Sequence, residues 1–286
     1  MWRKSVITDE GRGLALSVTE WSRRGLPCVM LHGFGDAGCV WNYLALRLAP
    51  RFRAAAMDLR GHGDSDWDPA TRYDSETFTA DLTSAAGAFG FERMILIGHS
   101  LGADVAIRFA ANNAARVAAL VIVDFGPELE AQGIDEILRS FAATPASFAS
   151  QEDYAEWLVA RRPLADPTLL RQFARQSLRE ASPRDWRPKA DAALASHSQI
   201  SRIVASQGRY RDPELWPMLG RVTCPSLVVR GGGSGVLPQD VASRMSEQAL
   251  WDGRLVTISA AGHAVMMDNP TEFSASVVDF LAKVAA

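Results

Sequence analysis

The sequence predicts an α/β protein: a mostly parallel sheet of eight strands, flanked by helices, with a helical cap inserted into it. Three observations lead there. Short apolar runs alternate with helical patterns from Pro27 to Val123 and again from Pro225 to Val284, the rhythm of strand–helix–strand crossovers. The apolar run Met94-Ile-Leu-Ile97 stops at Gly98-His-Ser-Leu-Gly102, and a helical pattern begins at once. Between Pro127 and Pro217 the alternation lapses into helical patterns rich in proline and aromatics. The expected division is a core of residues 1–126 and 218–286 and a helical cap of residues 127–217.

Each element has its own signal. Ser5 to Thr8 and Leu14 to Glu20 read as antiparallel strands joined by the turn residues Asp9 to Gly13. Cys28 to Leu31 is a short apolar run bounded by glycine, as in a buried strand. Asn42 to Leu48 has helical spacing, and Arg53 to Met57 is the next strand. Ser75 to Phe89 is an amphipathic helix with Ser75 as its expected N-cap. The helix after Ser100 runs to about Asn112, and Val117 to Val123 is again a strand. Later come a strand from Pro225 to Arg230, a helix around Asp240 to Met245, a strand from Arg254 to Ile258 and a closing helix from Thr271 to Val284. Pro270 stands at the start of that helix, where a missing N–H costs nothing.

Composition narrows the function. A length of 286 residues, nearly half of them hydrophobic, suits one large α/β domain with an insertion. A net charge of −3 with mixed signs argues against nucleic acid or a polybasic membrane surface as partner, and Arg161-Arg162 reads as a solvated helix face. The first ten residues lack the apolar core of a signal peptide, and no apolar run approaches the roughly 20 residues of a membrane span. Cys28, Cys39 and Cys224 lack ligand spacing and read as reduced thiols, so a cytoplasmic protein without metal or other cofactor is expected. The sequence leaves the oligomeric state open, a homodimer included.

The stretch around Ser100 carries the chemistry. Gly98 and Gly102 have no Cβ, so a strand and a helix can close tightly around the serine. The first N–H groups of the new helix have no intrahelical acceptor and face whatever Ser100 attacks. A serine hydroxyl needs a neighbouring base. His263, in the loop between the last strand and the last helix, is the candidate. The other histidines fit structural roles: His99 packed inside the elbow, His32 and His62 bonded to loop backbone, His197 exposed in the cap.

With these motifs in view the chain resembles the α/β-hydrolase family, of the kind with a helical cap. The resemblance covers nearly the whole length. It rests on His32-Gly-Phe-Gly35, Arg60-Gly-His-Gly-Asp-Ser65, Gly98-His-Ser-Leu-Gly102 and Gly262-His263, in the family's order and each at a strand end. It implies Ser100 as nucleophile, His263 as base, and an oxyanion hole made by the main-chain N–H groups of Phe34 and Leu101. The acid departs from the common pattern. Most relatives carry it after the seventh strand, where this chain reads Gly231-Gly-Gly-Ser-Gly-Val-Leu-Pro238, with Ser234 or Gly235 at the acid's place. Asp240 reads as a first-turn helix acid. Asp124, directly after the sixth strand, is the better candidate, and it keeps the chain order Ser, acid, His. Some members, including certain lactone hydrolases and cofactor-free ring-cleaving dioxygenases, place their acid there.

The expected activity is therefore a serine hydrolase that cleaves a small, fairly hydrophobic ester or lactone through an acyl-enzyme on Ser100. Trp41, Phe125, Trp157, Val236 and Val265 are the expected pocket residues. Two alternatives stand beside it: a cofactor-free ring-cleaving dioxygenase using a His263/Asp124 dyad, and a ligand receptor without turnover.

Overall fold

The structure is a computed structural model that describes residues 3–8, 13–197, 204–206 and 208–284. The turn at residues 9–12 and the His197 side chain lie outside the described residues. Eight strands form the central sheet. In chain order they are β1 (Arg3–Thr8), β2 (Ala15–Glu20), β3 (Pro27–Leu31), β4 (Arg53–Met57), β5 (Met94–His99), β6 (Val117–Val123), β7 (Ser226–Gly231) and β8 (Gly253–Ile258). Across the sheet they run β1-β2-β4-β3-β5-β6-β7-β8, with β2 antiparallel to its neighbours and every other pair parallel. Every residue of β5 and β6 is buried. That is why these two strands read as continuous apolar runs: helices cover both faces of a parallel sheet.

On the two faces lie α1 (Asn42–Leu48), α2 (Ser75–Ala88), α3 (Leu101–Asn112), and, late in the chain, α9 (Gln239–Arg244), α10 (Val265–Asp268) and α11 (Pro270–Val284). The sheet separates two apolar clusters. One gathers Trp41, Leu44 and Phe273 behind the sheet, and the other gathers Phe78, Phe109 and Val241 in front of it. The cap of α2 differs from expectation by one position. Asp74 is the N-cap, because its carboxylate accepts the Thr77 N–H at 2.8 Å, and Ser75 turns instead to Asp104. Among the described residues no helix is long and apolar enough to cross a membrane.

Between β6 and β7 the chain leaves the sheet. It forms α4 (Ala131–Ala142), α5 (Gln151–Arg161), α6 (Pro167–Ser177), α7 (Leu194–His197) and α8 (Leu215–Leu219). Beside these helices the segment carries short strands that the sequence did not signal. Glu128–Glu130, Val204–Ser206 and Arg209–Arg211 make a small three-stranded sheet, and Leu178–Ser182 pairs with Asp185–Pro188. Strands of three to five residues, mostly exposed in the second pair, leave no apolar run to read. Helix α8 spans the boundary expected at 217/218, with Leu215 and Leu219 both fully buried.

Candidate active site

Ser100 stands between β5 and α3 with φ +51°, a left-handed conformation that costs a non-glycine residue on the order of 1–3 kcal/mol. The surrounding packing fixes it there. A Cβ at Gly98 would lie 2.3 Å from the Gly102 carbonyl oxygen, and one at Gly102 would lie 2.3 Å from the Leu31 carbonyl oxygen. Neither position can carry a side chain, so β5, α3 and the end of β3 close around the serine. The Ser100 N–H donates to the Val123 carbonyl at 3.1 Å, which ties the elbow to the end of β6.

The next residue, Asp124, is fully buried and also left-handed, with φ +50°. Its Oδ2 lies 2.8 Å from His263 Nδ1. The same carboxylate accepts the Gly231 N–H at 3.0 Å and the Ser234 hydroxyl at 2.5 Å. With a carboxylate against Nδ1, that nitrogen carries the proton and Nε2 is left as the base. The main chain of His263 is held as well. Its carbonyl accepts the His99 Nε2–H at 2.9 Å, and the two rings meet at a 44° tilt with their centroids 4.6 Å apart. Asp268 Oδ2 accepts the N–H of Gly262, one residue before.

The loop His32 to Gly35 lies against the elbow: a Cβ at Gly33 would be 3.3 Å from Ser100 Cβ. Two buried histidines hold this loop and the one after β4. His32 donates from Nδ1 to the Gly33 carbonyl (2.8 Å) and accepts the Leu59 N–H at Nε2 (3.0 Å). His62 donates from Nδ1 to the Arg60 carbonyl (2.9 Å) and accepts the Gly35 N–H at Nε2 (3.1 Å). Burial holds both rings neutral: it lowers His32 below the usual imidazole range and takes His62 down to about 3, with the neighbouring His32 adding to the second shift. The N–H groups of Phe34 and Leu101 find no acceptor among the described residues.

A cavity of about 230 Å³ opens beside Ser100, Phe34 and Leu101. Its walls are apolar, with Phe78 and Phe125 from the core and Leu129, Ile134 and Leu138 from the segment beyond β6. Its far end is polar. Asp104 and Arg108 follow Ser100 at one-turn spacings along α3, so the three side chains share one face. Arg108 pairs with Asp104 (2.8 Å), Asp212 and Glu214 (3.3 Å). Burial raises the Asp104 carboxyl above the usual carboxylate range, against the downward pull of Arg108 and Ser75.

Four of the five side chains expected at the pocket stand elsewhere, and Phe125 alone is among the described residues that line it. Trp41 is fully buried against Phe273, and Val265 lies in the same core cluster. Trp157 packs with Phe148 and Tyr154, its ring covered by Arg161 at 4.2 Å. Val236 sits behind the cavity wall, against Leu129 and Ile134. The reason is common to all four: an apolar residue gains as much from core packing as from a pocket wall, and sequence alone does not separate the two. Asp240 lies on the surface in a two-point pair with Arg209, at 2.9 and 3.0 Å. Asp104 and Arg108 were missed, although their spacing from Ser100 on a helix was a usable signal.

Comparison with known proteins bears on the family and the fold. The sequence model described as "Alpha/beta hydrolase family" matches residues 28–276. A 2-(acetamidomethylene)succinate hydrolase of Mesorhizobium japonicum is 28% identical, over 96% of this chain and 93% of that protein. A pimeloyl-[acyl-carrier protein] methyl ester esterase of Pectobacterium carotovorum is 30% identical, over 88% of this chain and 92% of its own length. The crystal structure of an E-2-(acetamidomethylene)succinate hydrolase superposes with a TM-score of 0.84 at 27% identity, covering 99% of this chain and all of that one (100%).

Proposed function

Because the chain belongs to the alpha/beta hydrolase family and is an enzyme of that fold, we propose that it is a serine hydrolase of small, neutral esters or lactones. The observation that carries this reading is the 2.8 Å contact of His263 Nδ1 with buried Asp124, at the site where Ser100 heads α3. In this mechanism Ser100 Oγ attacks the substrate carbonyl while His263 Nε2 takes its proton. The oxyanion is met by the Phe34 and Leu101 N–H groups, each such donor being worth about 2.7–4 kcal/mol to the transition state. His263 then protonates the leaving oxygen as the C–O bond breaks. Water, deprotonated by the same nitrogen, releases the acid and restores Ser100. Asp124 fixes the imidazole tautomer and stabilises the imidazolium.

The cavity supports the substrate class. Its apolar walls suit a hydrophobic acyl or alkyl group. Arg108 is the one cation among the described lining residues, and three carboxylates already engage it. A substrate with its own carboxylates, such as the succinate in the relative's name, would meet net negative charge there. On this reading residues 127–217 act as a cap whose α4 side chains close the cavity. The ring-cleaving alternative called for a histidine-lined pocket, and the described lining of Phe, Leu and Ile suits the hydrolase better. Turnover of a panel of aryl esters tests the proposal: steady release of the phenol is expected. Binding without release would favour the receptor instead, and oxygen uptake with a heteroaromatic enol would favour the dioxygenase.

A further inference from the structure

We propose that Ser234 is a positioning residue whose hydroxyl sets the orientation of the Asp124 carboxylate toward His263; this rests on the serine-hydrolase reading above. Ser234 occupies the loop after β7, where the acid of most relatives was expected and no carboxylate stands. Its hydroxyl bonds to the carboxylate that holds His263. It meets Asp124 Oδ2 at 2.5 Å.

The direction of that hydrogen bond is forced. A serine hydroxyl offers two lone pairs and one proton. Both lone pairs are taken, by the N–H groups of Val236 at 3.1 Å and Leu237 at 3.2 Å. The proton therefore goes to Asp124. The carboxylate then receives three donors: Gly231 N–H on Oδ1, and the Ser234 hydroxyl and His263 Nδ1–H together on Oδ2. Turning the carboxylate away from His263 breaks the Ser234 and Gly231 bonds as well.

The loop that presents Ser234 is itself held, despite four glycines among residues 231–235. The Arg230 guanidinium donates to the carbonyls of Leu237 at 2.8 Å, and of Gly232 and Ser234 at 3.3 Å each. The Gly233 N–H donates to the Ala261 carbonyl at 2.8 Å, two residues before His263. The glycine-rich sequence is thus a braced turn. Its one side-chain hydroxyl points at the acid on the neighbouring strand.

The test compares wild type with Ser234→Ala, Ser234→Thr and Ser234→Cys. Three quantities are measured: the rate at which a fluorophosphonate labels Ser100, the melting temperature, and the proton resonance of His263 Nδ1–H. Ser234→Ala should label about ten-fold more slowly or worse, as expected when a reacting group is displaced by a fraction of an ångström. Its Nδ1–H resonance should move or vanish by exchange. Ser234→Thr, which keeps the hydroxyl, should restore both. Ser234→Cys, a weaker donor, should fall between them and serves if the alanine variant does not fold. A labelling rate that falls only in step with melting temperature, with the resonance unmoved in the Ala and Cys variants, would overturn the proposal and leave Ser234 as a loop anchor. Absence of label on wild-type Ser100 would instead overturn the serine-hydrolase reading, and the positioning role with it.

Discussion

Asp124 Oδ2 and His263 Nδ1 lie 2.8 Å apart although 139 residues of chain separate them. The acid has no exposed surface, while about a fifth (19%) of the histidine side chain is open. A buried carboxylate against a partly open imidazole fixes one tautomer and still leaves the other nitrogen free to work.

That pairing predicts the effect of Asp124→Asn. Asparagine keeps the size and can hold the wrong tautomer, a change that lowers turnover by about 10⁴ in a serine-protease triad. A loss of several orders of magnitude in kcat, with an unchanged circular dichroism spectrum, is the expected outcome. Asp240→Asn, which loses only a surface pair with Arg209, should retain near wild-type kcat. Equal kcat in the two variants would remove Asp124 from the machinery.

Ser100→Ala should abolish ester turnover while the protein melts within a few degrees of wild type. Alanine keeps the backbone strain at φ +51° and removes only the hydroxyl. Mass spectrometry after treatment with a serine-directed phosphonate should place the adduct on Ser100 in wild type and find none in the variant. Label on another serine would sink the acyl-enzyme mechanism.

The acid-rich end of the cavity predicts a charge preference. An aryl ester with a neutral acyl chain should have a higher kcat/KM than the same ester ending in a carboxylate. Asp212→Asn removes one of the carboxylates on Arg108, so it should narrow that gap several-fold by improving the charged substrate. An enzyme that prefers the carboxylate-bearing ester from the start would show that Arg108 is not neutralised as the ion pairs indicate.

The buried histidines predict how stability depends on pH. His32, His62 and His99 are all held neutral, their affinity for protons lowered chiefly by burial, with His62 down to about 3. Each binds a proton in the unfolded chain near the ordinary value of about 6.5, but not in the folded one. The unfolded state therefore takes up more protons as pH falls below about 6.5, and stability drops through the window down to about 3. Each group contributes a slope of up to about 1.4 kcal/mol per pH unit. Protonating His62 Nε2 also sets a donor against the Gly35 N–H and loosens the loop beside Ser100. Urea titrations from pH 7 to pH 4 should show this fall, and His62→Gln should make it shallower. An unchanged slope would mean that His62 does not titrate on unfolding.

The sheet was legible because each of its buried strands is a compact apolar run that ends in a glycine-containing or charged loop. Ser100 and His263 were legible because tight turns and strand-end loops leave few places for them. Asp124 could be named from the empty loop after β7, but its contact with Ser234 could not. That hydrogen bond depends on two strands lying side by side, and nothing local in Gly231 to Pro238 records it. The cap of α2 shows the limit at short range: Asp74 and Ser75 are both good capping residues, and only the direction of their side chains separates them. The pocket failed for the opposite reason, because Trp41, Trp157, Val236 and Val265 satisfy the core so well.

One peptide unit joins the two ends of the proposed triad. The Val123 carbonyl accepts the Ser100 N–H, and the residue that follows it is Asp124, whose side chain grips His263. Nucleophile and acid are thus gauged from a single rigid plane, the last of β6, without an intervening loop to add slack. A displacement of β6 carries both together, so the distance between them is preserved when the sheet breathes. A member of the fold that hangs its acid on the next strand must instead hold that distance across two strand ends.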